Sequence, residues 1–199
     1  MAEIRSTMDM VMERAARLEA EQGGADPRGE DEIKEGMRAA AAYMREEEID
    51  LAAALERRRS EAKADFITGV AEGLLRNITL PREEEQLDKA GLAMNGLVQV
   101  GRNHQDLLAI CGDLTKILDQ YRQHRQQLKE QLEAGFAQQM PQLEAAMAQK
   151  TGMAMKLKPS QHPRYQEEWQ RALDDLNGQY GRAIEQHKQM VVRILASMV

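Results

Sequence analysis

Cys111 and His104 are the two residues whose types best suit nucleophilic catalysis, because a thiolate attacks carbon and an imidazole accepts the thiol proton. They are seven residues apart in the chain. On one continuous helix that separation is about 10 Å, which is beyond hydrogen-bond reach. We therefore interpret Cys111 as a buried, unreactive thiol rather than as a nucleophile.

Metal binding is the second chemistry that the four histidines suggest. Di-iron helical bundles carry a Glu-x-x-His repeat, but here Glu185 lies only two residues before His187 and the repeat does not occur. A zinc site needs three or four converging ligands. His104 and His187 fall instead on apolar helical stripes, where a polar residue more often fixes register and partner number. The sequence predicts no metal site, no cofactor and no catalytic residue.

The helices that must position these residues dominate the composition. Alanine, glutamate, leucine, lysine and arginine supply 96 of the 199 residues, and aromatic residues supply 4%. This composition is typical of long helices packed side by side, whereas sheets need more β-branched and aromatic residues. The predicted fold class is all-α: an elongated bundle of long helices that includes an antiparallel coiled-coil hairpin.

Charge and cysteine content exclude several classes of protein. The formal net charge of −6 opposes nonspecific binding to nucleic acid, which needs an excess of lysine and arginine. A lone cysteine cannot form an internal disulfide, which favours a reducing compartment. The first residues lack the basic and apolar regions of a signal peptide, and no run of about 18 apolar residues occurs. We predict a cytoplasmic protein without a nucleic-acid partner or a membrane span.

The sequence divides into three parts. Residues 1–22 form a predicted N-terminal amphipathic helix whose apolar stripe consists of Ile4, Met8, Val11, Ala15 and Leu18. Residues 23–29 are rich in glycine and form a predicted flexible linker, and residues 30–199 form a helical bundle and coiled-coil domain. Met8, Val11 and Met12 are candidate partner-binding residues, since flexible side chains adapt to varied apolar surfaces. Filling of core gaps is the alternative role for the methionines.

The first long element of the bundle is a predicted helix from about residue 30 to residue 77. No proline interrupts this range, and the helix would be about 70 Å long. Gly69 and Gly73 lie one turn apart near its end. Because glycine has no side chain, this spacing would let another helix approach closely. Pro81 then marks a corner before the next helix.

A heptad pattern extends from Ala90 to Leu132. Apolar residues recur there every 3.5 residues on average, which predicts a single rod with a coiled-coil seam. Pro141 should kink or end this helix. The candidate seam residues are Leu97, Val100, His104, Leu107, Cys111, Leu114, Leu118, Tyr121, Leu128 and Leu132.

The final helix, from about residue 164 to residue 198, should fold back on the rod as an antiparallel hairpin. At about 52 Å it would be shorter than the rod, so part of the seam needs another cover. The preceding long helix and a second copy of the chain are the candidates. The second of these predicts a homodimer.

The opening residues, EIRSTMDMVMER, the long helices and the proline-bearing connector before Trp169 resemble a group of uncharacterised helical proteins of anaerobic bacteria. The resemblance implies a bacterial cytoplasmic protein. It implies no activity and transfers no site residues.

These patterns support two main hypotheses about function. The first is a non-enzymatic scaffold or adaptor for protein–protein interaction, built on the coiled coil and binding a protein partner, a second copy, or both. The alternative is a small acidic helical chaperone or export accessory that holds a partner's helix in an apolar groove. An enzyme or metal carrier built in the bundle core is the third and least favoured hypothesis.

Overall fold

A computed structural model describes residues 27–153 and 156–198, and all regular structure within those ranges is helical. The predicted all-α class is therefore confirmed. The predicted helix 1–22, with Met8, Val11 and Met12, lies outside the described residues, and so do residues 23–26 of the predicted linker. The helices are α1 (Pro27–Met44), α2 (Leu51–Glu56), α3 (Ser60–Leu75), α4 (Glu84–Val100), α5 (Gln105–Ala137), α6 (Met140–Thr151) and α7 (Tyr165–Ser197), with a 3-10 turn at Pro159–Gln161.

The predicted linker and the predicted helix 30–77 both differ from the structure. Residues 27–29 form the first turn of α1. The prediction of one continuous helix is wrong, because the chain leaves helical geometry after Met44, and Glu46 has a φ of 58°. Asp50 then starts α2 by accepting a hydrogen bond from the backbone N–H of Ala53 at 2.9 Å. These breaks turn the chain back, so that α3 can pack beside α1.

Glycine allows α1 and α3 to pack closely, as the spacing of Gly69 and Gly73 predicts. A Cβ atom added at Gly69 would lie 2.8 Å from the carbonyl carbon of Ile33, and one added at Gly73 would lie 2.6 Å from Cβ of Ala40. At the other end of the pair, Gly29 of α1 faces Asp65 of α3. Residue numbers rise together along the contact, so the two helices run in the same direction.

The predicted rod from Ala90 to Leu132 is also wrong as one helix. It breaks between α4 and α5, where Arg102 and Asn103 have φ values of 51° and 57°. His104 ends the break as the N-cap of α5, and its Nδ1 accepts a hydrogen bond from the N–H of Asp106 at 3.3 Å. The apolar spacing continues across the turn because residues on both sides enter one core.

The antiparallel hairpin is confirmed and pairs α5 with α7. Tyr121 Oη donates a hydrogen bond to Oδ1 of Asn177 at 2.7 Å, and the rings of Phe136 and Tyr165 lie 5.6 Å apart near the hairpin end. Each helix has 33 residues, or about 50 Å. The predicted shortfall of the final helix does not occur, because the break at residues 101–104 shortens its partner. Pro141 lies in the first turn of α6, so the helix before it does end there as predicted.

The main core occupies one end of the hairpin. Buried side chains of α1 to α4 join those of α5 as far as Leu118 and those of α7 from Ile184 onward. We call the remainder of the hairpin the arm: α5 from Arg122, α6, the connector, and α7 as far as Tyr180. No helix among the described residues is both long and apolar enough to cross a membrane.

Candidate functional site

The predicted seam is part of the main core rather than a free edge. Seven of its residues are buried, and they contact the same core cluster or the adjoining hairpin interface: Leu97, Val100, Leu107, Cys111, Leu114, Leu118 and Tyr121. Leu128 and Leu132 are half-buried in the arm. His104 is exposed at the turn between α4 and α5. The interpretation of His104 as a seam residue is therefore wrong, because its ring caps a helix.

Cys111 is buried, as predicted for an unreactive thiol. Burial raises the pKa of this thiol to about 11, so the nucleophilic thiolate is scarce at neutral pH. The sulfur lies 3.9 Å from the carbonyl oxygen of Met94.

Each of the other three histidines has a partner in the structure. His124 Nδ1 lies 2.6 Å from Tyr180 Oη, and His187 Nδ1 lies 2.7 Å from the carbonyl oxygen of Ala183. The ring of His162 packs 4.5 Å from that of Phe136. Among residues 27–153 and 156–198, no three His, Cys, Asp or Glu side chains converge as metal ligands.

A large concave surface lies along α5, where the arm leaves the core. This arm cleft has a volume of about 1010 Å³. Residues from α5, from the 3-10 turn, from the start of α7 and from the corner before α4 line it: Arg82, Arg122, Gln123, Arg125, Gln126, Gln127, Lys129, Glu133, Ser160, Tyr165, Gln166 and Trp169. Four of these side chains are basic and one is acidic.

Three of the four basic side chains have no salt bridge with any described carboxylate: Arg82, Arg125 and Lys129. Arg125 Nη1 donates a long hydrogen bond to the carbonyl oxygen of Arg82 at 3.4 Å, and its Nε atom is buried without a hydrogen-bond partner in the described structure. Arg122 is the exception, with Glu84 at 3.7 Å and Asp119 at 3.9 Å. The cleft is therefore locally cationic in a chain whose net charge is −6.

Two aromatic residues border this positive charge. Tyr165 is buried and Trp169, the only tryptophan of the chain, is half-buried. Guanidinium groups bind carboxylates and phosphates through paired hydrogen bonds, while aromatic rings contact apolar groups beside them. The arrangement suits a ligand that is both anionic and partly apolar.

The arm cleft was not predicted from the sequence. Arg82 and Lys129 are 47 positions apart, and Trp169 is a further 40 positions along the chain, so no local motif joins them. One feature of the sequence could have indicated a basic surface. Arg122, Arg125 and Lys129 follow the i, i+3, i+7 spacing of a single helix face.

A second concave surface, the α3–α7 groove, lies on the core. It consists of two adjoining cavities of about 220 and 470 Å³, which share Glu72 and Val192. The first is mostly apolar and the second has a charged rim. The groove is lined by Ala64, Ile67, Thr68, Ala71, Glu72 and Leu75 of α3, by Arg76 directly after α3, and by Glu185, Lys188, Gln189, Val192, Arg193, Leu195 and Ala196 of α7.

Comparison with known proteins bears on the part of the chain that holds the arm cleft and most of the α3–α7 groove. No curated protein and no solved structure matches the chain. A family model described as a family of unknown function (DUF6657) matches residues 52–193, which is 142 of 199 residues. That description gives no organism group and no location, so the bacterial and cytoplasmic predictions stay predictions. The chain belongs to the family of unknown function DUF6657.

Proposed function

We propose that the protein is a non-enzymatic adaptor whose arm cleft binds an acidic segment of a partner protein. The observation that carries this proposal is the group of three basic side chains without salt bridges, Arg82, Arg125 and Lys129, beside Trp169. A carboxylate bound there would give these basic side chains the negative partner that they do not have in the described structure. A charged hydrogen bond of this kind contributes about 1.5 to 3 kcal/mol.

The aromatic border favours a peptide over a small inorganic anion. Arginine and aromatic side chains are enriched where protein interfaces concentrate their binding energy. Trp169 is half-buried, so it can contact an apolar side chain next to the bound carboxylate. The ligand that fits both features is a helix or loop with acidic residues about one turn apart and an apolar residue between them.

Two features support a binding role over catalysis. The thiol of Cys111 has a raised pKa and is buried, and the histidines make structural contacts rather than facing one another across a cleft. We place this adaptor in the bacterial cytoplasm, where a lone reduced cysteine is the ordinary state.

Trp169 provides a direct test, since its fluorescence reports on the cleft. We expect a helical peptide with glutamates one turn apart to change this fluorescence on titration, and the same peptide with lysines in their place to leave it unchanged. The double variant Arg125→Gln with Lys129→Gln removes two charged hydrogen bonds, so it should bind at least about 100-fold more weakly, a loss of about 3 kcal/mol or more. Added salt should weaken the wild-type binding.

The matched control removes the same charge elsewhere. Lys116 and Arg171 are exposed and form helical ion pairs outside the cleft, so Lys116→Gln with Arg171→Gln should bind as the wild type does. Equal weakening in both double variants would reduce the effect to net charge and refute the cleft. Sedimentation of the unbound protein separately tests whether a second copy is a partner.

The second candidate function is a chaperone or export accessory that holds a partner's helix. The α3–α7 groove favours it, because the groove combines apolar walls with an exposed Val192. This function predicts that a partner-derived amphipathic helix protects the groove and leaves Trp169 fluorescence unchanged. The adaptor proposal predicts the reverse.

A further inference from the structure

We propose that the N-terminal segment of this same chain, residues 4–22, docks as a helix in the α3–α7 groove. This inference is independent of the arm cleft and of the proposed adaptor function. It concerns a surface on the core and a segment that lies outside the described residues. The position where α1 begins and the matching lengths of the groove and the segment support it.

The groove is an open apolar surface between two long helices. Ile67, Ala71 and Leu195 form its floor and are buried, while Val192 on its wall is 45% exposed. Because Val192 is exposed above this buried floor, apolar side chains of another helix could pack on it as a further layer. A helix that presents a narrow apolar stripe fits between two such walls.

The described chain begins at one end of this groove. Gly29, in the first turn of α1, faces Asp65 of α3, and Ala64, next to Asp65, lines that end of the groove. A preceding helix would therefore need only a short reversal to run back along α3. Residues 23–26 include Gly23 and Gly24, and four extended residues span about 13 Å.

The lengths of the groove and of the stripe agree. The groove follows α3 from Ala64 to Arg76, a rise of about 18 Å. The apolar stripe from Ile4 to Leu18 would extend about 21 Å as a helix. Val11, at the middle of the stripe, would then lie near Val192, which both halves of the groove share.

The test measures how well the segment protects the groove in the full chain. Val192→Cys introduces a thiol on the groove wall, and Cys111 adds little background because it is buried. Maleimide labelling of the new thiol is compared in two further variants. The stripe variant, Met8→Glu with Val11→Glu, places charge on the docking face, whereas the control, Ser6→Glu with Ala20→Glu, adds the same charge on the opposite face.

We expect labelling at least about tenfold faster in the stripe variant than in the control, because a covered site reacts only when it opens. Equal rates in the two variants would overturn the proposal. The thiol of Cys111, buried in the core, should stay equally slow to label in both variants, and faster labelling there would detect general unfolding.

A disulfide test identifies the occupant. Val11→Cys combined with Val192→Cys should form a bond within one chain under mild oxidation of a dilute sample, giving a monomer on a non-reducing gel that has lost two maleimide-reactive thiols. A crosslinked dimer would mean that a second copy supplies the helix, and an unchanged pair of free thiols would mean that the groove holds neither. Either result overturns the proposal.

Discussion

At the scale of single residues, the glycines that matter are those at the contact between α1 and α3. Gly36, Gly69 and Gly73 all lie where an added Cβ would meet the neighbouring helix, with backbone atoms in two of the three cases. Backbone cannot yield as a flexible side chain can. Gly112 and Gly135 of α5 differ, because an added Cβ there meets nothing within 4 Å.

A matched pair of substitutions tests this distinction. Gly69→Ala should lower the free energy of unfolding by about 1 to 3 kcal/mol, because the methyl group must push α1 and α3 apart. Gly112→Ala should raise it by about 0.5 to 1 kcal/mol, since alanine favours the helix and the site is open. Urea denaturation followed by circular dichroism measures both. A neutral Gly69→Ala variant would contradict the close contact.

At the scale of elements, the sequence predicted helices far better than it predicted their ends. The hairpin, the stop at Pro141 and the close approach at Gly69 could be predicted because each depends on local chemistry. The break after Val100 could not, because Leu97, Val100 and Leu107 keep the heptad spacing through a turn. Those residues maintain it because both helices pack into one core. Two polar residues could have indicated the break. Asn103 has a left-handed backbone conformation, and His104 after it caps the next helix.

The candidate surfaces were harder to predict than the helices. The arm cleft joins Arg82, Lys129 and Trp169 only after the chain has folded back twice. Sequence periodicity reports which face of a helix is apolar, and it does not report which helices become neighbours. A homodimer was predicted because part of the seam was expected to lack a cover, but α7 covers the seam along α5 within one chain.

Substitutions at Asn103 test the turn between α4 and α5. Asn103 is exposed and has a φ of 57°, a conformation that glycine and asparagine tolerate and β-branched residues do not. Asn103→Val should therefore lower the melting temperature, by the equivalent of about 1 to 2 kcal/mol, and Asn103→Gly should preserve or raise it. The control Asn95→Val, at an exposed helical position in α4, should change stability much less. Equal effects at the two positions would argue for a continuous helix.

At the scale of the whole molecule, buried apolar residues are distributed unequally between core and arm. The main core cluster ends at Leu118 and Ile184. Beyond these residues the arm contains three buried hydrophobic residues among the described ones, Phe136, Met140 and Tyr165. Local stability follows the density of such contacts. The arm should therefore open without unfolding the core, which is compatible with the proposed binding of a partner in the arm cleft.

Hydrogen exchange with two leucine variants tests this hierarchy. Leu74 is fully buried in the core, and Leu74→Ala should cost about 2 to 5 kcal/mol and speed exchange throughout α3, α4, α5 and α7. Leu132 is half-buried in the arm, so Leu132→Ala should speed exchange in α6 and in the arm portions of α5 and α7, while the amides of α3 keep their wild-type rates. Faster exchange of α3 in Leu132→Ala, by the same factor as in the arm, would show a single cooperative unit instead. In that case the proposed binding of a partner at the arm cleft would stabilise the core as well, by the full binding free energy. If the arm opens independently, binding would stabilise the arm alone.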